Sequence, residues 1–178
     1  MAEAKRKRKF IDVEIPIIKK ITQLYGYDLE DLENRVISYD LTRILKGKGA
    51  ILKLKVKIEN GKATSYPIEL QILLSYIRRI IRKGTNYVED SFSAECKDFV
   101  LRIKPFLITR RKVSRAIRKA LRNKARESIT NYIKDKKSEE IFKKVLNGEL
   151  QKTLIPILKK IYPLSVCEIR ILKIEKEK

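Results

Sequence analysis

Hydrophobic and polar residues alternate most regularly from Leu52 to Ile58, where Leu52, Leu54, Val56 and Ile58 are separated by Lys53, Lys55 and Lys57. Period-two alternation marks a strand with one face on a core. The Asn60-Gly61 pair that follows suits a type I′ hairpin turn, which needs positive φ at both central residues. The return strand is predicted from Lys62 to about Pro67, with the lysine row facing outward. Upstream, Phe10 to Ile18 alternates in part and is bounded by Pro16, suggesting an edge strand or an extended lead-in. Asp28 to Asn34 is polar and turn-like, and Arg35 to Leu41 reads as a short strand. Ile72, Leu73, Tyr76, Ile77, Ile80 and Ile81 recur at helical spacing, which predicts an amphipathic helix from Glu69 to Lys83, ended by Gly84. Asn86 to Cys96 and Phe99 to Thr109 form a second antiparallel pair turning near Lys97-Asp98. Val88, Phe92, Ala94 and Cys96 face inward on one strand, and Leu101, Ile103 and Leu107 on the other.

The C-terminal half is mainly helical. From Lys112 to about Lys134, Val113, Ala116, Ile117, Ala120 and Leu121 share one face of a 100° wheel. Arg111, Arg115, Arg118, Arg122 and Arg126 are spaced four, three, four and four residues apart, so they line the opposite face within roughly 80°. Ile129 and Ile133 rotate under that arginine stripe, which predicts a kink or a change of environment near Glu127. A second helix starts at Ser138 as N-cap, with Glu139 and Glu140 in its first turn, and ends at Asn147-Gly148. A third runs from about Lys152 to Tyr162, with Pro156 in its first turn or kinking it, and Val166 to Ile174 is a final strand. Residues 1–9 read as a flexible basic arm and 10–178 as a single α+β domain.

Charge changes this picture from a fold to a partner. The 178 residues carry 43 Lys and Arg against 22 Asp and Glu, for a net charge of +21. The cations are segregated into three blocks, with no acidic residue from Arg102 to Arg126. Such a chain repels itself unless a polyanion neutralises it. Nucleic acid is favoured over a membrane surface, because the basic helix lacks the aromatic and leucine-rich opposite face of an interfacial helix. The candidate RNA-binding residues are Lys5, Arg6, Lys7, Arg8 and Lys9 in the arm, and Arg78, Arg79, Arg82 and Lys83 in the middle block. In and before the arginine helix they are Arg110, Arg111, Lys112, Arg115, Arg118, Lys119, Arg122 and Arg126. Arginine forks bind phosphate oxygens bidentately, so a helix that presents them every turn can follow a phosphodiester backbone. Arg78 and Arg79 also complement a helix C-terminus, and the lysine row of the hairpin is by default a solvated face.

The chemistry excluded is extensive. There is no histidine, which removes triads, Cys/His dyads and His-ligated metals. Cys96 and Cys167 have no CxxC neighbour and read as buried reduced thiols. No phosphate-cradling glycine loop, KH-type loop, RNP1 motif or zinc finger occurs. Glu89, Asp90 and Glu95 form a small acidic cluster, for which ion pairing is favoured over metal or acid/base work. Tyr76, Tyr87 and Tyr132 are of the type that stacks on bases, although core packing is the commoner use. No catalytic residue, metal or cofactor is expected.

Several segments, taken in order, resemble one family. They are Lys9-Phe-Ile-Asp-Val-Glu-Ile-Pro16, Tyr39-Asp-Leu-Thr-Arg43, Tyr76-Ile-Arg-Arg79, Tyr87-Val-Glu-Asp-Ser-Phe92, Lys104-Pro-Phe-Leu-Ile-Thr-Arg110, Lys112-Val-Ser-Arg-Ala-Ile-Arg-Lys119 and Lys160-Ile-Tyr-Pro-Leu164. Together they resemble the small-subunit ribosomal proteins called S-three-a in eukaryotes and S-three-Ae in archaea, and more the archaeal form. The resemblance implies an antiparallel, barrel-like sheet with about four helices packed around it. It implies a structural constituent of the small ribosomal subunit, cytoplasmic and ribosome-bound, on the platform near the messenger RNA exit and the 3′ end of the small-subunit rRNA. Its partners would be that rRNA, neighbouring small-subunit proteins and, as a further candidate, messenger RNA at the exit channel, with no membrane. The alternative is a free-standing RNA-binding chaperone or assembly factor.

Overall fold

The computed structural model describes residues 7–59 and 61–177. In chain order its elements are β1 (Lys9–Ile15), β2 (Lys20–Gly26), a 3-10 turn (Glu30–Leu32), β3 (Val36–Asp40), β4 (Ala50–Glu59) and β5 (Lys62–Ile72). These are followed by α1 (Leu74–Ile80), β6 (Tyr87–Glu89), β7 (Phe92–Glu95) and β8 (Phe99–Thr109). Last come α2 (Arg115–Ile133), α3 (Ser138–Leu146), α4 (Glu149–Lys159) and β9 (Leu164–Glu177). Contacts divide into two units, one within Met1–Tyr39 and Lys53–Ile68, the other within Asp40–Leu52 and Glu69–Lys178.

In the first unit the predicted hairpin is present. Leu54 and Val56 are buried, Lys57 is exposed, and Gly61 takes φ 73°; Asn60 lies outside the described residues. β1 is no edge strand: it pairs antiparallel with β2 and parallel with β5, through Val13↔Ala63 and Glu14↔Thr64. The β1–β2 hairpin leaves one edge of β1 open, and β5 fills it in the same direction as β1. The sheet is therefore mixed rather than antiparallel, and in neither unit do the described strands close into a barrel. Ile11, Val13 and Ile15 alternate into a core shared with Leu32, Ile37, Leu54 and Val56. Ser65 is buried beside them, and its hydroxyl donates to the Glu14 carbonyl at 3.0 Å.

The second unit is built on β8, whose whole length pairs antiparallel with β9. β6 and β7 pair with its opposite edge, and the end of β5 joins the outer edge of β9 through Glu69–Gln71. The turn at Lys97-Asp98 is closed by Cys96, whose amide donates to the Phe99 carbonyl at 2.9 Å. β8 itself alternates without a break, since its register shifts take up extra residues of β9; Phe106 and Ile108 lie on one face and Leu107 and Thr109 on the other, and all four are buried because both faces of this end of the strand are covered. Only the middle of the predicted helix from Glu69 to Lys83 is helical. β5 continues to Ile72 with Leu70 and Ile72 buried, and α1 spans only Leu74–Ile80. Ile68 to Ile72 also alternates with period two, and pairing with β9 decides between the two periodicities. α3 is as expected at its end, but its N-cap is Lys137; Ser138 is the first helical residue and is buried. α4 begins three residues earlier than predicted, so Pro156 lies in its interior and not in its first turn.

α2 packs against β6, β7 and α4, and α4 against α3 and β9. The core of this unit draws Leu121, Ala125, Ile129 and Ile133 from α2, Phe142 and Val145 from α3, and Leu154 and Leu158 from α4. Gln151 is buried among them. Its amide Nε2 donates to the Val145 carbonyl at 3.0 Å and to Glu168 Oε2 at 3.3 Å, and Glu168 also pairs with Lys48 at 2.5 Å. Both cysteines are buried and unbridged. No helix among the described residues is long and apolar enough to cross a membrane.

Candidate nucleic-acid interface

The arginine helix forms as predicted but sits in a different rotation. Ser114 caps it, its hydroxyl accepting from the Ile117 amide at 3.4 Å, and the helix runs unbroken to Ile133 with no interruption near Glu127. Its buried line is Leu121, Ala125, Ile129 and Ile133, spaced four residues apart. Ala116 and Ala120, assigned to the core from the wheel, are exposed, and Val113 and Ile117 are half-buried. Alanine contributes little apolar area, so the larger isoleucines and Leu121 set the rotation, and Ala125 lets the helix approach its neighbours closely. The arginines consequently flank the core line instead of opposing it.

That rotation builds a groove. Arg115, Arg118, Lys119, Arg122, Asn123 and Arg126 line one wall; Tyr87, Val88 and Asp90 line the other, around a cavity of about 590 Å³. An adjoining cavity of about 440 Å³ shares Asp90 and Arg122 and adds Glu89, Ser91, Lys104, Pro105 and Arg170. Arg126 is tied down: its Nε and Nη2 donate to the two Asp90 oxygens at 3.0 and 2.9 Å, and its guanidinium lies 5.4 Å from the centroid of Phe92. The hydrogen bond to Asp90 raises the Arg126 pKa further. Glu89 pairs with Arg170 at 3.0 Å. Two members of the acidic cluster thus serve as ion-pair partners, as the sequence favoured. Among the described residues no group of three potential metal ligands gathers. The stripe has no acidic residue within it, as read from the sequence, but Asp90 reaches Arg126 from 36 residues away.

The other candidates are dispersed. Arg110, Arg111 and Lys112 are exposed in the link that leads into α2. Arg78 and Arg79 are exposed in the last turn of α1, where Arg79 Nη2 donates to the Gly47 carbonyl at 3.3 Å and its guanidinium lies 5.6 Å over Tyr76. Arg82 and Lys83 lie beyond that helix, exposed in a turn rather than in its last turns as predicted. α1 is anchored by Ile77, which is buried with Ile72, Phe106 and Ile108. In the first unit Lys7, Arg8 and Lys9 are exposed; Lys9 opens β1, and the Arg8 guanidinium lies over Tyr27 at 5.0 Å and Tyr25 at 6.0 Å. Lys5 and Arg6 lie outside the described residues.

The sequence pattern of the Ribosomal S3Ae family matches residues 3–178. The chain belongs to that family. Two relatives named small ribosomal subunit protein eS1 are each 31% identical to it. The one from Methanothermobacter thermautotrophicus aligns over 122 residues, 66% of this chain and 63% of that protein. The one from Pyrobaculum aerophilum aligns over 140 residues, 78% and 63%. A third eS1, from Halorubrum lacusprofundi, is 28% identical over 151 residues, 82% of this chain and 70% of its own length. The chain spans just under two-thirds of the length of the first two relatives. On the facing wall of the groove of this S3Ae chain, Val88 and Asp90 were not singled out as contacts, and Tyr87 was put forward by residue type alone. The signal that could have found them is the segment from Tyr87 to Phe92, which carries part of the family resemblance.

Proposed function

We propose that this S3Ae chain is a non-enzymatic constituent of the small ribosomal subunit that binds ribosomal RNA along the groove wall of α2. The observation that carries the reading is the row of Arg115, Arg118, Lys119 and Arg122, which lines a groove with Asp90 as its one carboxylate, and that carboxylate is already held by Arg126. Guanidinium groups in such a row suit phosphate oxygens of a backbone and carry no base code, so recognition by shape and charge is expected. The exposed cations at Arg78, Arg79, Arg82 and Lys83, and those preceding α2, extend the footprint. On this reading the chain works in translation, cytoplasmic and ribosome-bound, with ribosomal RNA and neighbouring small-subunit proteins as partners. Its place is the platform near the messenger RNA exit and the 3′ end of the small-subunit rRNA, and messenger RNA there is a further partner.

The test is sedimentation of the tagged protein with cell extract. Stoichiometric migration with small subunits that survives moderate salt is the expected result. Migration at the top of the gradient would favour a free-standing RNA chaperone or assembly factor. Charge reversal of Arg115, Arg118 and Arg122 together should remove the protein from the subunit while circular dichroism and Tm stay close to wild type; normal incorporation of that variant would overturn the role given to α2.

A further inference from the structure

The groove holds more than cations. Tyr87 stands on its β6 wall, 55% exposed, with its ring stacked on the buried Phe106 at 6.0 Å and 25°. Backbone pairing of Tyr87 with Ile108 fixes the ring's base, and Phe106 is itself locked in the core with Ile72, Ile77 and Ile108. An aromatic ring held on one side by the core and open on the other is a stacking platform. The other two tyrosines of the same sequence class are covered by the chain's own cations. Arg79 lies over Tyr76, and Lys136 and Lys144 lie over Tyr132 at 2.8 and 5.9 Å. Tyr87 instead faces the groove beside Arg118, whose Nε is buried without an acceptor among the described residues.

We infer that this groove seats an unpaired nucleotide of RNA, its base stacked on Tyr87 and its flanking phosphates on Arg115, Arg118 and Arg122. The inference rests on the RNA-binding reading above and adds to it the class of RNA the site takes. Three features select an unpaired base. The bases of a duplex have both faces occupied by their own stack, so the open face of Tyr87 can stack only on one that has left it. The cavity, at about 590 Å³, lies within the ~300–1,000 Å³ range of sites that enclose a small organic ligand. Asp90 closes one end as a carboxylate, which turns the phosphate path towards Arg115 and away from Arg126. An aromatic platform beside a cationic track is the general arrangement by which single strands are held without sequence preference.

The experiment uses the whole protein and two probes: a single-stranded oligoribonucleotide carrying one 2-aminopurine, and a fluorescein-labelled RNA duplex. Wild type should bind both and quench the 2-aminopurine on stacking. Tyr87→Ala should weaken the single strand by about tenfold and abolish the quenching, with duplex affinity unchanged. Tyr87→Phe should behave as wild type, because the ring is what stacks. Tyr87→Leu, which keeps an apolar contact on Phe106 and so guards against loss of fold, should behave as Tyr87→Ala. If Tyr87→Ala and Tyr87→Leu bind and quench like wild type while reversal of Arg115, Arg118 and Arg122 weakens both probes, the stacking inference falls and RNA binding stands. If the arginine reversal leaves both probes bound, the RNA reading itself falls, and the inference with it.

Discussion

Replacing Asp90 by Asn should tighten RNA binding, although it removes a well-formed ion pair. Asp90 is nearly buried, its side chain 11% exposed, while the Arg126 side chain it clamps is 52% exposed and lies on the groove wall. The wild-type groove therefore offers a phosphate backbone Arg115, Arg118, Lys119 and Arg122, with Arg126 already neutralised. If each neutralises one phosphate, log K falls with log salt at a slope of about −3 to −4 from this site. Asn keeps an acceptor for the Ser91 amide, which Asp90 Oδ1 accepts at 2.9 Å, and loses the charge that holds the guanidinium. One further phosphate contact changes the slope by about −0.9 on duplex RNA. At ~0.1 M monovalent salt that is a gain of about eightfold in affinity. Removal of the groove's own carboxylate acts in the same direction.

The assay is fluorescence anisotropy on a duplex RNA over a salt series, with thermal melts alongside to record the small loss of stability the broken pair should bring. The difference between the two slopes is the diagnostic quantity, because cations elsewhere on the chain contribute equally to both proteins. An Asp90→Asn protein that melts as a folded chain and binds with an unchanged slope would show that phosphates do not run past Arg126. A weakened affinity with a shallower slope would show that the ion pair itself organises the binding surface.

Two further predictions concern stability. Burial pushes the Cys167 thiol up to about 12 from its ordinary 9.0, with the Glu168 carboxylate adding to the effect. The neutral thiol is favoured by the fold, so its contribution is complete below pH 9.0 and is lost as pH rises towards 12. Unfolding free energies from urea melts should fall between about pH 8 and pH 10.5 by roughly 2 kcal/mol more for wild type than for Cys167→Ala; equal falls would refute the shift. Gly148 joins α3 to α4 with φ 74° and open space where a Cβ would lie. Gly148→Ala should therefore cost about 1 kcal/mol through backbone strain alone, read as a lowered Tm, while Gly148→Asn costs less because asparagine tolerates that region.

Where one periodicity acts alone, the sequence reads the structure well. Leu52, Leu54 and Val56 are buried opposite a lysine row, and Val88, Phe92, Ala94, Cys96, Leu101, Ile103 and Leu107 are all buried as their alternation required. β2 was not legible. Its Lys20, Gln23 and Tyr25 are exposed and it buries only Gly26 fully, so its place comes from backbone pairing with β1, which leaves no hydrophobic signature. α1 was overread because Ile72 to Ile81 fits a helix while Ile68 to Ile72 fits a strand, and only a partner strand decides between them. The cations of the site were legible from charge. Asp90, 36 residues from Arg126 in sequence, was not, since no helix or strand spacing links the two.

The rotation of α2 explains why a groove exists at all. Had Val113, Ala116, Ile117, Ala120 and Leu121 formed the buried face, the arginines would have pointed straight into solvent as a solvated stripe. A buried line with a four-residue repeat instead advances about 40° per step on a helix of 3.6 residues per turn. Over the arginine-bearing stretch that line passes from Ile117 through Leu121 to Ala125, and Arg118, Arg122, Arg115 and Arg126 fall roughly 60° to 140° from Leu121. Side chains at that angle rise beside the contact between the helix and β6, where Tyr87, Val88 and Asp90 supply the facing wall. Moving the core line back by a pair of substitutions is then a functional change as well as a packing one. Ala120→Leu with Ala125→Ser would favour the solvent-facing rotation, and RNA affinity should fall with every arginine still present.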